Sequence, residues 1–207
     1  MTRTTVPLAP DVLAQRITWA WRLAAVTCVF IALWMQQRGL WAALLEGDPS
    51  GISAGIVGLS AVLTGWCGVR AGVLARQALP GSAWRLAWVE DVQRVPDQAP
   101  ALLNERSHGA HETAWWFAGA TIKLGLLGTV VGFIVMSAQI GRMPGFDLDQ
   151  VQTMLKQMTS GMAIALYTTL VGLVANLWLG LQLLLLDRLA DRLVADIVAS
   201  APAAPDA

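Results

Sequence analysis

Charge, cysteine and histidine are all scarce in this sequence. Asp, Glu, Lys and Arg make up 14% of its 207 residues, against a hydrophobic share of 56%, whereas a soluble domain carries about a quarter charged residues. That deficit excludes an ordinary soluble domain and makes a lipid-embedded one the first reading. The 14 basic and 14 acidic residues cancel to a formal net charge of zero. No basic run capable of tracking phosphates is present, so no nucleic-acid partner is expected. The two cysteines, Cys28 and Cys67, each sit in an apolar run with no second cysteine or histidine at ligand spacing, which argues against a disulfide framework or a zinc site. The only histidines, His108 and His111, have the i, i+3 spacing of helix-borne ligands but no third partner; they read as an exposed loop pair, and no metal is expected. Ser53, Ser60, Ser137 and Ser160 lack a histidine at membrane depth to serve as base, so no enzyme is expected.

The most consequential shortage is of buried carboxylates. None of the 14 Asp and Glu residues falls inside a long apolar run; the nearest, Glu112 and Asp187, flank two of them. A proton relay through a membrane normally uses an intramembrane carboxylate or histidine. If this chain helps protons across, the titrating group comes from another subunit.

What is present is four long apolar runs, at residues 17–35, 51–69, 113–140 and 161–186. Nineteen residues of helix span about 28 Å, enough to cross a hydrocarbon core of roughly 30 Å. Trp19, Trp21, Trp34, Trp41, Trp115, Trp116 and Trp178 lie near run ends, where an amphipathic ring suits the headgroup boundary. With a cytoplasmic amino terminus, the inside set of basic residues is Arg3, Arg16, Arg22, Arg70, Arg76, Arg85, Arg94, Arg106, Lys123, Arg188 and Arg192. Only Arg38, Arg142 and Lys156 remain outside, a clear positive-inside bias. The expected fold is therefore an all-α integral membrane protein with four transmembrane helices, both termini cytoplasmic.

The chain divides accordingly. Residues 1–16 form a cytoplasmic amino-terminal segment, and 17–79 hold the first two spans with a cytoplasmic extension stopped by Pro80-Gly81. Residues 80–112 make a short cytoplasmic loop with a helical candidate over 83–95. Residues 113–187 hold the third and fourth spans and an outer amphipathic helix, which starts at Asp147 with Gln150 as capping-box partner and continues through Val151, Met154, Leu155 and Met158. Residues 188–207 are a cytoplasmic amphipathic helix and a frayed tail.

The third and fourth spans are rich in small residues. Gly125, Gly128 and Gly132 interrupt the third, and Thr168, Gly172, Asn176 and Gly180 form a row at spacing four in the fourth. Small residues let helix backbones approach closely in lipid, where apolar side chains alone give little drive to associate. Thr121, Thr129, Thr168, Thr169 and Asn176 add polar atoms that need either a backbone carbonyl or an ion path.

These two spans also carry a resemblance. Lys123-Leu-Gly-Leu-Leu-Gly-Thr-Val-Val-Gly132 resembles the G-L-L-G-T-V-x-G signature of the MotA/TolQ/ExbB family of ion-driven motor subunits. Gly161-Met-Ala-Ile-Ala-Leu-Tyr-Thr-Thr-Leu-Val-Gly-Leu-Val-Ala-Asn176 is similar to that family's A-L-x-x-T-x-x-G-L segment. The resemblance implies a bacterial inner-membrane protein that forms a homo-oligomer, a pentamer, around a dimeric single-span partner of the MotB/TolR/ExbD kind. The partner supplies the aspartate, and flow of H+ or Na+ is converted into mechanical work with no bound cofactor. By the same resemblance Thr129 and Thr169 face the partner's aspartate, with Thr168, Asn176 and Tyr167 as further candidates. Four spans match the MotA branch, yet the large cytoplasmic insertion of the flagellar subunits is missing. Ile122 replaces a proline and Lys123 an apolar residue of the TolQ/ExbB pattern, which makes Lys123 either a residue that snorkels to the lipid headgroups or a candidate cytoplasmic gate. The competing reading is a structural scaffold or anchor that packs through the same glycines without conducting ions.

Overall fold

A computed structural model describes residues 10–140 and 148–200 of the chain, all of whose regular elements are helices. The amino-terminal segment up to residue 9, the expected Pro144-Gly145 turn with the Asp147 cap, and the tail from residue 201 lie outside the described residues. There are six helices among the described residues: α1 (Pro10–Gln37), α2 (Leu40–Gly47), α3 (Ile52–Gln77), α4 (Ala83–Arg94), α5 (Ala99–Ile140) and α6 (Leu148–Ala199). Four of them, α1, α3, α5 and α6, are long and apolar enough to cross a membrane.

The turns follow local chemistry. Gly39 joins α1 to α2 at a φ of 67°, and Gly81 follows α3 at 73°, backbone conformations that cost a side-chain-bearing residue far more than glycine. Pro80-Gly81 thus ends α3 close to where the sequence places the stop. The short helix expected over 83–95 is α4. Asp48 opens α3 from the preceding turn: its carboxylate accepts hydrogen bonds from the backbone N–H of Ser53 at 2.7 Å and of Ser50 at 3.1 Å, and from the Ser50 hydroxyl. Burial pushes the Asp48 carboxyl up, but the hydrogen bonds from Ser50 and Ser53 outweigh it and leave the group below the usual carboxylate range.

Two helices are longer than hydrocarbon requires. At 1.5 Å per residue, α5 runs for about 63 Å and α6 for about 78 Å, roughly twice a bilayer core or more. The excess on α5 is its first part, residues 99–112, which carries Asn104, Glu105, Arg106, His108, His111 and Glu112. This stretch is helical, so the third span continues a helix that begins 14 residues before Thr113. The outer amphipathic segment, the fourth span and the final amphipathic segment are one unbroken helix, α6.

The chain forms two compact units. Among the described residues the first comprises 10–28, 65–114 and 182–200. Its core includes a stripe on α6, Leu183, Leu186, Ala190, Leu193 and Ile197, at alternating spacings of three and four, the pattern that keeps one helix face inward. Charged pairs tie the elements around it. Arg85 of α4 pairs with Asp196 of α6 and donates to the Ser200 hydroxyl at 2.6 Å, while Arg106 of α5 pairs with Asp91 of α4. Arg70 of α3 donates to the carbonyl of Ser107 at 3.1 Å.

The second unit comprises residues 29–64 and 115–181. Its inner faces are small and its outer faces large and apolar. Val62, Ile134, Leu166 and Leu177 are exposed, as expected of surfaces whose solvent is lipid.

Candidate functional site

Within the second unit α5 and α6 run antiparallel at glycine-limited distance. A methyl group on Gly172 would lie 2.8 Å from the carbonyl oxygen of Thr121 and 3.0 Å from the Cα of Gly125. A methyl on Gly132 would lie 2.6 Å from the carbonyl oxygen of Gly161, and one on Gly161 would lie 2.9 Å from that of Gly132. Backbone thus meets backbone over about three turns. Gly128 rests on Thr168, and Gly180 is looser, with only the Trp115 ring at van der Waals distance.

The polar side chains of this pair donate to backbone carbonyls. Asn176 Nδ2 donates to the carbonyl of Ala118 at 2.8 Å, a direct bond between the helices. Thr169 Oγ1 lies 3.0 Å from the carbonyl of Ala165 on its own helix and 3.3 Å from that of Gly125 across the interface. Thr129 Oγ1 donates to the carbonyl of Leu126 at 2.5 Å, and Thr121 Oγ1 to that of Ala118 at 2.7 Å. Back-bonding of this kind is an ordinary fate of a threonine hydroxyl in an apolar helix.

Beside the glycine stripe, along the stretch where Gly132 meets Gly161, the two helices border a cleft of about 240 Å³. Thr129, Gly132, Phe133 and Met136 line it from α5, and Gly161, Met162, Ala165, Leu166 and Thr169 from α6. The cleft walls are apolar because both threonines turn their hydroxyls to carbonyls and present methyl groups. Among the described residues none of the cleft-lining groups is ionisable.

The structure brings Thr129 and Thr169 together and separates the other candidates from them. Thr168 is fully buried at 0% exposure inside the helix interface, and its hydroxyl bonds the carbonyl of Ile164 at 2.8 Å. Tyr167 faces a second cleft with Thr159, Met162, Ala163, Leu166 and Leu170, and its ring covers Gly47 of α2. Asn176 acts as an interhelical tie. Lys123 is exposed on α5 with its Nζ 6.0 Å from the centre of the Trp116 ring, one of several aromatic groups near that end of the span.

Sequence reasoning missed a polar cluster in the first unit. His108 and His111 do not form an exposed loop pair: both lie in α5, and His111 is 1% exposed. Its Nδ1 is 2.6 Å from Asp187 Oδ1 on α6, and His108 Nε2 is 3.2 Å from Asp191 Oδ1 one turn on. The histidines at i, i+3 and the aspartates at i, i+4 each mark one helix face, but neither spacing shows that the two faces meet. No group of three or more metal-ligating side chains converges among the described residues.

Compared with known proteins, the chain matches the family model described as the MotA/TolQ/ExbB proton channel family over residues 89–198, just over half of its length. No curated protein and no solved structure gives a significant match.

Proposed function

The chain belongs to the MotA/TolQ/ExbB proton channel family, and from that premise we propose that it is the proton-conducting stator subunit of a motor in a bacterial inner membrane. Copies of the chain, five by family resemblance, surround a dimer of single-span partner helices. The partner carries the titrating aspartate, and passage of protons is converted into mechanical work. The amino and carboxyl termini face the cytoplasm, in keeping with the distribution of Lys and Arg.

The observation that carries this reading is the shared cleft of Thr129 and Thr169, positioned by a glycine-locked helix pair and lined by no carboxylate. An apolar cleft does not pass protons unaided, since a charge there lacks the polar groups that replace hydration. Threonine in a helix has two accessible χ1 rotamers. Rotation exchanges the methyl group facing the cleft for the hydroxyl, so a partner carboxyl arriving at the cleft finds a donor when ionised and an acceptor when protonated. The helices themselves stay fixed, because the glycine contacts are backbone to backbone. Conduction then depends on the partner, and an unpartnered ring holds its resting state closed.

The scaffold reading draws on the same hydrogen bonds, since hydroxyls committed to carbonyls are what a purely structural helix pair requires. What favours the channel is the position of the two threonines at a cleft in place of the sealed interface that holds Thr168. Photo-crosslinking from position 129 or 169 in the membrane, with position 177 on the exposed outer face as control, distinguishes the two. The channel reading expects crosslinks from 129 and 169 to a short single-span protein and none from 177. Crosslinks only between copies of this chain, or to lipid alone, contradict it.

A further inference from the structure

The chain's only two histidines meet two aspartates in adjacent turns of an antiparallel helix pair, and none of the four belongs to the proposed ion path. His111 and Asp187 are bonded at 2.6 Å, His108 and Asp191 at 3.2 Å, and the Ser107 hydroxyl bonds His108 Nδ1 at 2.7 Å. The Trp66 ring of α3 stands edge-on to the His111 ring with centroids 6.2 Å apart, and the Arg70 guanidinium lies 6.0 Å from the centre of that Trp66 ring. His111 therefore sits where α3, α5 and α6 meet. Its second nitrogen, Nε2, is buried and makes no hydrogen bond among the described residues.

That orphaned nitrogen fixes the preferred protonation state. With Nδ1–H donating to Asp187, a neutral His111 leaves only a lone pair unsatisfied at Nε2. A second proton would place an unpartnered N–H in the packed bundle, where an unmet donor is costly. The titratable and charged groups around it are Arg70 from α3, His108 from α5 and Asp187 from α6, with Asp191 of α6 against His108. Burial is the largest influence and holds the His111 imidazole below its ordinary value of 6.5; Asp187 pulls it back upward, while Arg70 and His108 add to the lowering.

We propose that His111 and Asp187 form a proton-sensing latch: neutral His111 clasps α5 to α6 at this end of the bundle, and a proton taken from the adjoining aqueous phase releases it. The sign follows from linkage. A base whose packed-state value is depressed binds its proton more readily when the packing opens. The latch is thus at full strength above about pH 6.5 and weakens as pH falls below it, by up to about tenfold in the opening equilibrium per pH unit. Resting on the proposed channel function and orientation, the latch senses the compartment that receives the protons, so acidification there feeds back on the protein that delivers them.

The test does not depend on conduction. Hydrogen exchange of the full chain in nanodiscs is followed for residues 107–112 and 185–191 at pH 7.5, 6.5 and 5.5, with rates corrected for intrinsic pH dependence. Wild-type protein is expected to lose protection in both segments between pH 6.5 and 5.5, by up to about tenfold. His111→Gln, which can still donate to Asp187 but cannot titrate, is expected to be flat, and His108→Gln to retain the step. A flat wild type, or a step that survives in His111→Gln, overturns the latch. Should His111→Gln fail to fold, nitrogen NMR of wild-type His111 decides: a neutral ring protonated at Nδ1 at pH 7.5 that becomes imidazolium together with loss of protection supports the latch. A ring that stays neutral to pH 5.5, or charges with protection intact, overturns it.

Discussion

Adding one methyl group at Gly172 should separate the two helices that frame the candidate site. The added carbon would sit 3.0 Å from the Cα of Gly125 and 2.8 Å from the carbonyl of Thr121, whereas carbon pairs rest at about 3.5–4.0 Å. Both obstacles are backbone, so no side chain can swing away, and the axes must part locally by about 0.5–1 Å. Overpacking of this kind costs about 1–3 kcal/mol. The strain is shared along the stripe, because rigid helices that part at Gly172 also loosen Gly132 against Gly161. Gly119→Ala is the control, since a methyl there meets nothing within 4 Å. Unfolding in mixed detergent micelles, followed by a fluorophore pair on α5 and α6, should show Gly172→Ala destabilised by that amount and Gly119→Ala within about 0.5 kcal/mol of wild type. Equal stability of the two variants would refute the claim that backbone contact, and not general apolar packing, sets the helix spacing.

Other contacts make independent expectations. Asn176→Leu removes the bond to the Ala118 carbonyl and should cost about 0.5–2 kcal/mol in the same unfolding assay. Asp48→Asn should lower stability by about 1 kcal/mol at pH 7 by weakening the charge-assisted bonds at the start of α3. Because the Asp48 carboxyl is held below its ordinary value of 3.8, its contribution is present above that pH and fades as pH falls through the depressed value. Wild type should therefore lose stability over that acid range while Asp48→Asn does not, as read by the unfolding midpoint against pH. Arg85→Ala leaves the largely buried Asp196 without its partner and should cost about 1.5–3 kcal/mol, visible as faster proteolysis within 80–98.

The spans were legible because lipid as solvent imposes a coarse rule, a long run without charge. Which face of each span points inward was far less legible, since outer and inner faces are both apolar. Only the exceptions to apolarity carried that information. Gly125, Gly132 and Gly172 marked the contact stripe because backbone approach requires them, and Thr129 and Thr169 stood out as polar atoms beside it. Thr168 illustrates the limit: next to Thr169 in sequence, it is turned about 100° around the helix and buried against Gly128. The α2 helix was hidden because its eight residues, Leu40–Gly47, are as apolar as the span before them. His111 was misplaced because residues 99–112 look like a polar loop; their burial depends on Asp187, which lies 76 positions away and whose matching register no local pattern reveals.

The central claim is that the chain conducts protons only around a partner that supplies a carboxyl to Thr129 and Thr169. Proton flux into liposomes holding the protein with and without its single-span partner, repeated with Thr129→Ala and Thr169→Val, tests it most directly. The account predicts flux that requires the partner and falls in both variants while the oligomer stays intact. Absence of flux with an intact complex, or undiminished flux in both variants, would contradict it.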